Sequence, residues 1–87
     1  MIRLTKAELN AVRRGKAVTV YRRKGAAMTE LYNRSRGKRI AVEIGTGISG
    51  ANLSAFAEIT TSKRLRCGEY EYCYKVIIWK ENKDNEV

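Results

Sequence analysis

Val12-Arg-Arg-Gly15-Lys-Ala-Val-Thr-Val20-Tyr-Arg-Arg-Lys24 reads as the end of a helix, a glycine stop and a strand that closes in a second cluster of positive charge. Six of these thirteen residues are Arg or Lys. Just upstream, Thr5-Lys-Ala-Glu8 matches a capping box, in which the Thr5 side chain caps the helix and Glu8 reaches back to the Thr5 amide. Leu4 and Leu9 stand at the two staple positions around that cap. The spacing predicts a helix over 6–14 with Leu9 and Val12 inward and Gly15 as its left-handed stop. Arg13, Arg14 and Lys16 gather at its C-terminal end, where cations favour the helix dipole. From Ala17 to Arg23 the pattern alternates, with Val18 and Val20 on one side and Thr19 and Tyr21 on the other. Arg22 continues the valine face, so the strand is expected to leave the core there.

On either side of this unit the elements are shorter. Ile2 to Leu4 reads as a brief first strand. The segment 24–38 is polar, basic and bounded by Gly25 and Gly37. It reads as a long loop with one helical turn over 26–32, placing Met28, Leu31 and Tyr32 on the core; loops of this length are usually functional or mobile, and Arg34, Arg36, Lys38 and Arg39 favour function here. Arg39 to Ile44 alternates as a half-buried strand, with Ile40, Val42 and Ile44 on one side. A glycine loop, Gly45 to Gly50, follows it. The Ile59-Thr60-Thr61 run favours a strand over 55–62, although Leu53, Phe56, Ala57 and Thr60 would also make a modest helical stripe. Lys63, Arg64 and Arg66 form a further basic knot ahead of Gly68. Tyr70 to Lys80 is a long strand, apolar on both faces from Val76 to Trp79 and therefore central. Residues 1–80 are expected to form one compact domain and 81–87 a charged tail. The fold class is α+β: a small, mostly antiparallel, barrel-like sheet with one N-terminal helix.

Composition narrows the chemistry. The 87 residues contain no histidine, which removes the commonest general base and metal ligand and excludes Ser-His-Asp and Cys-His catalysis. Cys67 and Cys73 alone do not complete a four-ligand zinc site, so neither a metal nor another cofactor is expected, and both read as ordinary thiols. No apolar run approaches the ~20 residues of a membrane-spanning helix, and the N-terminus lacks a secretory h-region; a cytoplasmic location is expected. The net charge is +9, and it is uneven. Residues 1–40 carry +10 and the remaining 47 carry −1. Such asymmetry points to a polyanionic or acidic partner.

Two motifs carry more specific readings. Gly45-Thr-Gly47-Ile-Ser-Gly50 satisfies G-x-G-x-x-G after a strand, the pattern of dinucleotide-binding folds. Such a fold also needs a helix after the third glycine and an acidic residue closing a strand about 20 residues on. The next acidic residue closing a strand is Glu81, about ten residues too late, so a glycine loop between strands is the better account. The helix–Gly15–strand unit, together with Arg36-Gly-Lys-Arg-Ile-Ala-Val-Glu43 and Ala57-Glu-Ile-Thr-Thr-Ser-Lys-Arg64, resembles the small ASCH domains of the PUA-like superfamily. Their G-x-K-x-x-T-x-R signature is met with shifts: Lys16 follows Gly15 directly, and Tyr21 stands at the arginine position with Arg22 one place later. The resemblance implies a small β-barrel with a cleft for RNA or a modified nucleoside. It also implies, for an amidohydrolase member, Lys16 as activator and Thr19 as nucleophile, with Glu58 or Glu69 as carboxylate by position. The plainer and preferred reading of the same two residues is a solvated helix-end cation and an ordinary strand residue.

The basic surface supports a binding expectation directly. Arg13, Arg14, Lys16, Arg22, Arg23 and Lys24 are placed to contact phosphates, and Arg34, Arg36, Lys38 and Arg39 to extend the track. Tyr21 is a candidate stacking face, with Tyr32 more suited to the core, and the tyrosines at 70, 72 and 74 read as a semi-exposed ladder or a second platform. The leading expectation is a nucleic-acid binder that prefers RNA or single strands. The rival from another class is an inhibitor or adaptor that docks on an acidic protein surface.

Overall fold

The computed structural model describes residues 2–47, 53–61 and 73–80. Five strands and two helices follow in the order β1 (Ile2–Arg3), α1 (Lys6–Arg13), β2 (Val18–Arg23), α2 (Ala26–Ser35), β3 (Ile40–Gly45), β4 (Leu53–Thr60) and β5 (Cys73–Lys80). The strands form one sheet in the order β1-β3-β4-β5-β2. Every pairing is antiparallel except β1 with β3. The domain is therefore α+β with a mostly antiparallel sheet, as its strand patterns predict; the sheet is a curled half-barrel, and the domain carries two helices where one was expected.

Helix α1 forms as its sequence dictates. The Thr5 hydroxyl accepts from the Glu8 amide at 3.2 Å and the Glu8 carboxylate accepts from the Thr5 amide at 2.8 Å. Leu4, Leu9 and Val12 are buried, and Gly15, at φ +90°, turns the chain out of the helix. The segment expected to be a loop is helix α2. Met28, Leu31, Tyr32 and Ser35 recur at i, i+3, i+4 and i+7, which places them on one face. The first three pack on the core. Ser35 is 1% exposed; its hydroxyl donates to the Lys38 carbonyl and accepts the Ile59 amide, tying the end of α2 to β4. Arg36, at φ 44°, and Gly37, at φ 79°, then reverse the chain into β3.

Both helices cover the same, concave side of the sheet. The inward residues are Val20 of β2, Ile44 of β3, Ala55, Ala57 and Ile59 of β4, and Tyr74, Val76 and Ile78 of β5. Tyr74 thus belongs to the core and not to an exposed ladder: it stacks on Tyr32 at 5.0 Å between centroids, and its hydroxyl shares a 2.9 Å hydrogen bond with Thr29. Tyr70 and Tyr72 lie outside the described residues.

The curl brings the two edges of the sheet within reach of one side chain. Arg22 does face the valine side, but β2 continues past it to Arg23. Its Nη2 donates to the Arg3 carbonyl of β1 at 2.7 Å, and its Nη1 to the Tyr21 carbonyl at 2.9 Å. A guanidinium thus spans the gap that backbone pairing leaves open. Replacing Arg22 with methionine keeps the apolar stem and removes both donors, with an expected cost of about 1–2 kcal/mol for charge-assisted bonds at a half-buried site. Arg22→Lys should recover only part of it, since a single ammonium does not reproduce the planar fork. Urea unfolding midpoints of the three proteins check this.

Candidate nucleic-acid interface

Alternation along the strands fixes what the convex side of the sheet presents. Residues one step from the core positions form cross-strand rows. Ala41, Phe56 and Trp79 make one row across β3, β4 and β5. Glu58, Ile77 and Thr19 make the next across β4, β5 and β2, and Thr60, Lys75 and Tyr21 the third. Neither helix lies on this side, since the buried face of α1 and the apolar face of α2 pack into the concave core. Phe56, Ile77 and Trp79 are half-buried, and Tyr21 is 49% exposed. The result is an aromatic and aliphatic strip running diagonally across four strands, a width of roughly 14 Å at the usual strand spacing.

Within the strip, the rings of Phe56 and Trp79 lie 6.3 Å apart at 47°. The Arg39 guanidinium sits 4.7 Å from the Phe56 centroid, inside cation–π range. Arg23 stands on the same side at the β2 margin, and Lys75 of β5 lies one strand inward, between Thr60 and Tyr21. Cations thus stand at both margins, Arg39 beside β3 and Arg23 on β2.

At the β3 margin the strip meets a cleft of about 340 Å³. Among the described residues β1 pairs only with Ile44 and Gly45, so the flank of β3 before them faces α2 across this cleft. Ile2, Leu31 and Val42 supply apolar walls; Arg34, Glu43 and Ser54 supply polar groups. A second cleft, about 430 Å³, runs beside α1 and includes Lys6, Asn10 and Arg13.

The basic residues anticipated as one track fall into four places, with Arg23 and Lys24 at the far end of β2 from the α1–β2 turn. Arg13, Arg14 and Lys16 are exposed at the α1–β2 turn, and Lys24 follows β2 with its ammonium 5.4 Å from the Tyr74 ring centroid. Arg34, Arg36, Lys38 and Arg39 are exposed around the α2–β3 turn. Arg22 bridges the sheet edges, so its guanidinium is already engaged. Tyr21 faces outward as expected, and Tyr32 is in the core contact with Tyr74. Phe56, Ile77, Trp79 and Lys75 were not among the anticipated contacts. The signal for them is the alternation Leu53-x-Ala55-x-Ala57-x-Ile59, which turns Phe56 outward once the segment is a strand.

Lys16 and Thr19 are both exposed, whereas a lysine activated for nucleophilic chemistry is typically desolvated. Thr19 and Glu58 share a row but are separated by Ile77 on the intervening strand. Glu69 and Gly50 lie outside the described residues. After Gly47 the next described element is β4, which runs antiparallel to β3, whereas a dinucleotide-binding fold places a helix and then a parallel strand there. Among the described residues no cluster of His, Cys, Asp and Glu is placed to hold a metal, and no helix is long and apolar enough to cross a membrane.

No match to the chain is found among family models, curated proteins or solved structures.

Proposed function

We propose that the chain is a small nucleic-acid-binding domain that lays a single strand, RNA or unpaired DNA, across the convex face of its sheet. The observation that carries this reading is the strip of Phe56, Ile77, Trp79 and Tyr21 on the side that neither helix covers. A sheet face that bore no function would be expected to alternate to polar residues there. Unpaired bases offer flat apolar faces to such side chains, whereas a duplex keeps its bases stacked inside. Arg39 at one margin, Arg23 at the other and Lys75 one strand inward offer cations to the phosphates that flank the stacked bases. The overall charge of +9 supplies long-range attraction for the same partner. The resemblance to ASCH domains, which implies a barrel that takes RNA or a nucleoside, supports the same assignment.

Trp79 is the only tryptophan, so its fluorescence reports on the proposed face directly. Titration with short single-stranded RNA should quench it at low salt, and single-stranded DNA should do so with comparable strength. A duplex of the same length should bind more weakly. Contact with about three phosphates predicts roughly a 20-fold loss of affinity between 50 and 200 mM salt. Absence of quenching and of any anisotropy change at low salt would overturn the reading. The basic surface would then be assigned to an acidic protein partner, sought by co-purification after nuclease treatment.

A further inference from the structure

We infer that the cleft at the β3 margin is a guanine pocket, through which the domain distinguishes one base of the strand it binds. The inference rests on the nucleic-acid reading above and adds a base preference to it. Ser54 lies directly opposite Glu43 in the β3–β4 register, and the two are on the outward side of the sheet, one row beyond Ala41 and Phe56. The cleft is therefore continuous with the aromatic strip, so a strand stacked on the strip reaches it with its next base. Its volume, about 340 Å³, falls in the range of small-ligand pockets.

The chemistry of the lining selects the base. A carboxylate repels phosphate, so on a surface that attracts nucleic acid its suitable partner is a pair of N–H donors. Among the four bases only guanine places two such donors side by side, N1–H and N2–H, at a spacing that meets both oxygens of one carboxylate. Adenine and cytosine offer one donor beside an acceptor, and uracil one donor between two acceptors. The Ser54 hydroxyl, opposite Glu43 on the neighbouring strand, is a donor available to the guanine O6 beside those two hydrogens. Leu31, Val42 and Ile2 provide the apolar surface for the base plane. Arg34, on the last turn of α2, is placed for the phosphate of the same nucleotide. Among the described residues no hydrogen bond or ion pair engages the Glu43 carboxylate or the Arg34 guanidinium, which leaves both groups for a ligand.

The test compares labelled oligouridines that carry one central guanine, adenine, cytosine or inosine, by fluorescence anisotropy. The guanine oligomer should bind about tenfold more tightly than the adenine and cytosine ones. Inosine, which lacks the N2 amine, should lose most of that advantage. In Glu43→Gln, whose thermal unfolding serves as the folding control, the preference should shrink to about twofold or less, because the amide nitrogen presents hydrogens to hydrogens. Equal affinity for all four oligomers, or a guanine preference that survives Glu43→Gln, would overturn the inference. A parallel NMR titration with guanosine monophosphate separates the two levels. Shifts at Glu43 and Ser54 without any oligomer binding would retain the pocket and reject the strand-binding reading. No shift there and no oligomer binding would reject both.

Discussion

Replacing Trp79 with alanine should weaken single-strand binding about tenfold, and replacing Phe56 as well should bring the loss to about 100-fold, at the usual value of base–aromatic stacking. The two rings belong to one cross-strand row and contact each other, so their effects should not be strictly additive. The fold should tolerate both changes. Neither ring is part of the buried core, and loss of the cross-strand pair should cost on the order of 1 kcal/mol. Anisotropy with a labelled single strand measures the affinity, and circular dichroism melts of the same samples measure the fold. Trp79→Phe should retain most of the binding, since a six-membered ring still offers a stacking face. If the double variant binds as tightly as the parent, the bases are not on the sheet. Contact would then fall to the exposed cations of the α1–β2 turn, Arg13, Arg14 and Lys16, by charge alone.

What could be read from the chain tracks how local each signal is. Helix α1 is encoded within the twelve residues from Leu4 to Gly15: a cap, a staple, two inward side chains and a glycine stop. Strands β2 and β3 are legible for the same reason, since period-2 alternation needs only a few residues. Helix α2 was obscured by its composition. Its exposed positions, among them Glu30, Asn33 and Arg34, resemble loop chemistry, and Gly25 at its N-cap supplies no side-chain cap. The face that does announce it, Met28, Leu31, Tyr32 and Ser35, ends in a buried serine that a hydrophobic count passes over. The role of Arg22 was out of reach. Its partner is the carbonyl of Arg3, nineteen residues away, and only the curl of the sheet brings the edges together. The interface follows the same rule: Phe56, Ile77 and Trp79 come from β4 and β5, whereas Tyr21 and the charge asymmetry that suggested a polyanion lie in residues 1–40. Only the strand order joins the two halves.

A pair of neighbouring substitutions on β5 should separate stability from binding. Ile78 is 0% exposed and lies on the concave side, between Val18 of β2 and Ala57 of β4. Ile78→Ala should cost about 3–4 kcal/mol, because α1 and the flanking strands do not collapse fully into the space of the lost methyl groups. For a chain of this length, with a typical stability of about 4–13 kcal/mol, that is a large share. Ile77, the next residue, is half-buried on the convex side between Glu58 and Thr19. Ile77→Ala removes the same atoms but should cost only about 1 kcal/mol, since less of the side chain leaves water on folding. Binding should show the reverse order. Ile77→Ala takes away the apolar surface between Trp79 and Tyr21 and should weaken a single strand several-fold, while Ile78→Ala, assayed where it is still folded, should bind as the parent does. Urea midpoints and anisotropy on the two variants give all four values. Equal destabilisation by both would mean that the convex face is covered as fully as the concave one, and the strip would then belong to the core and not to a ligand.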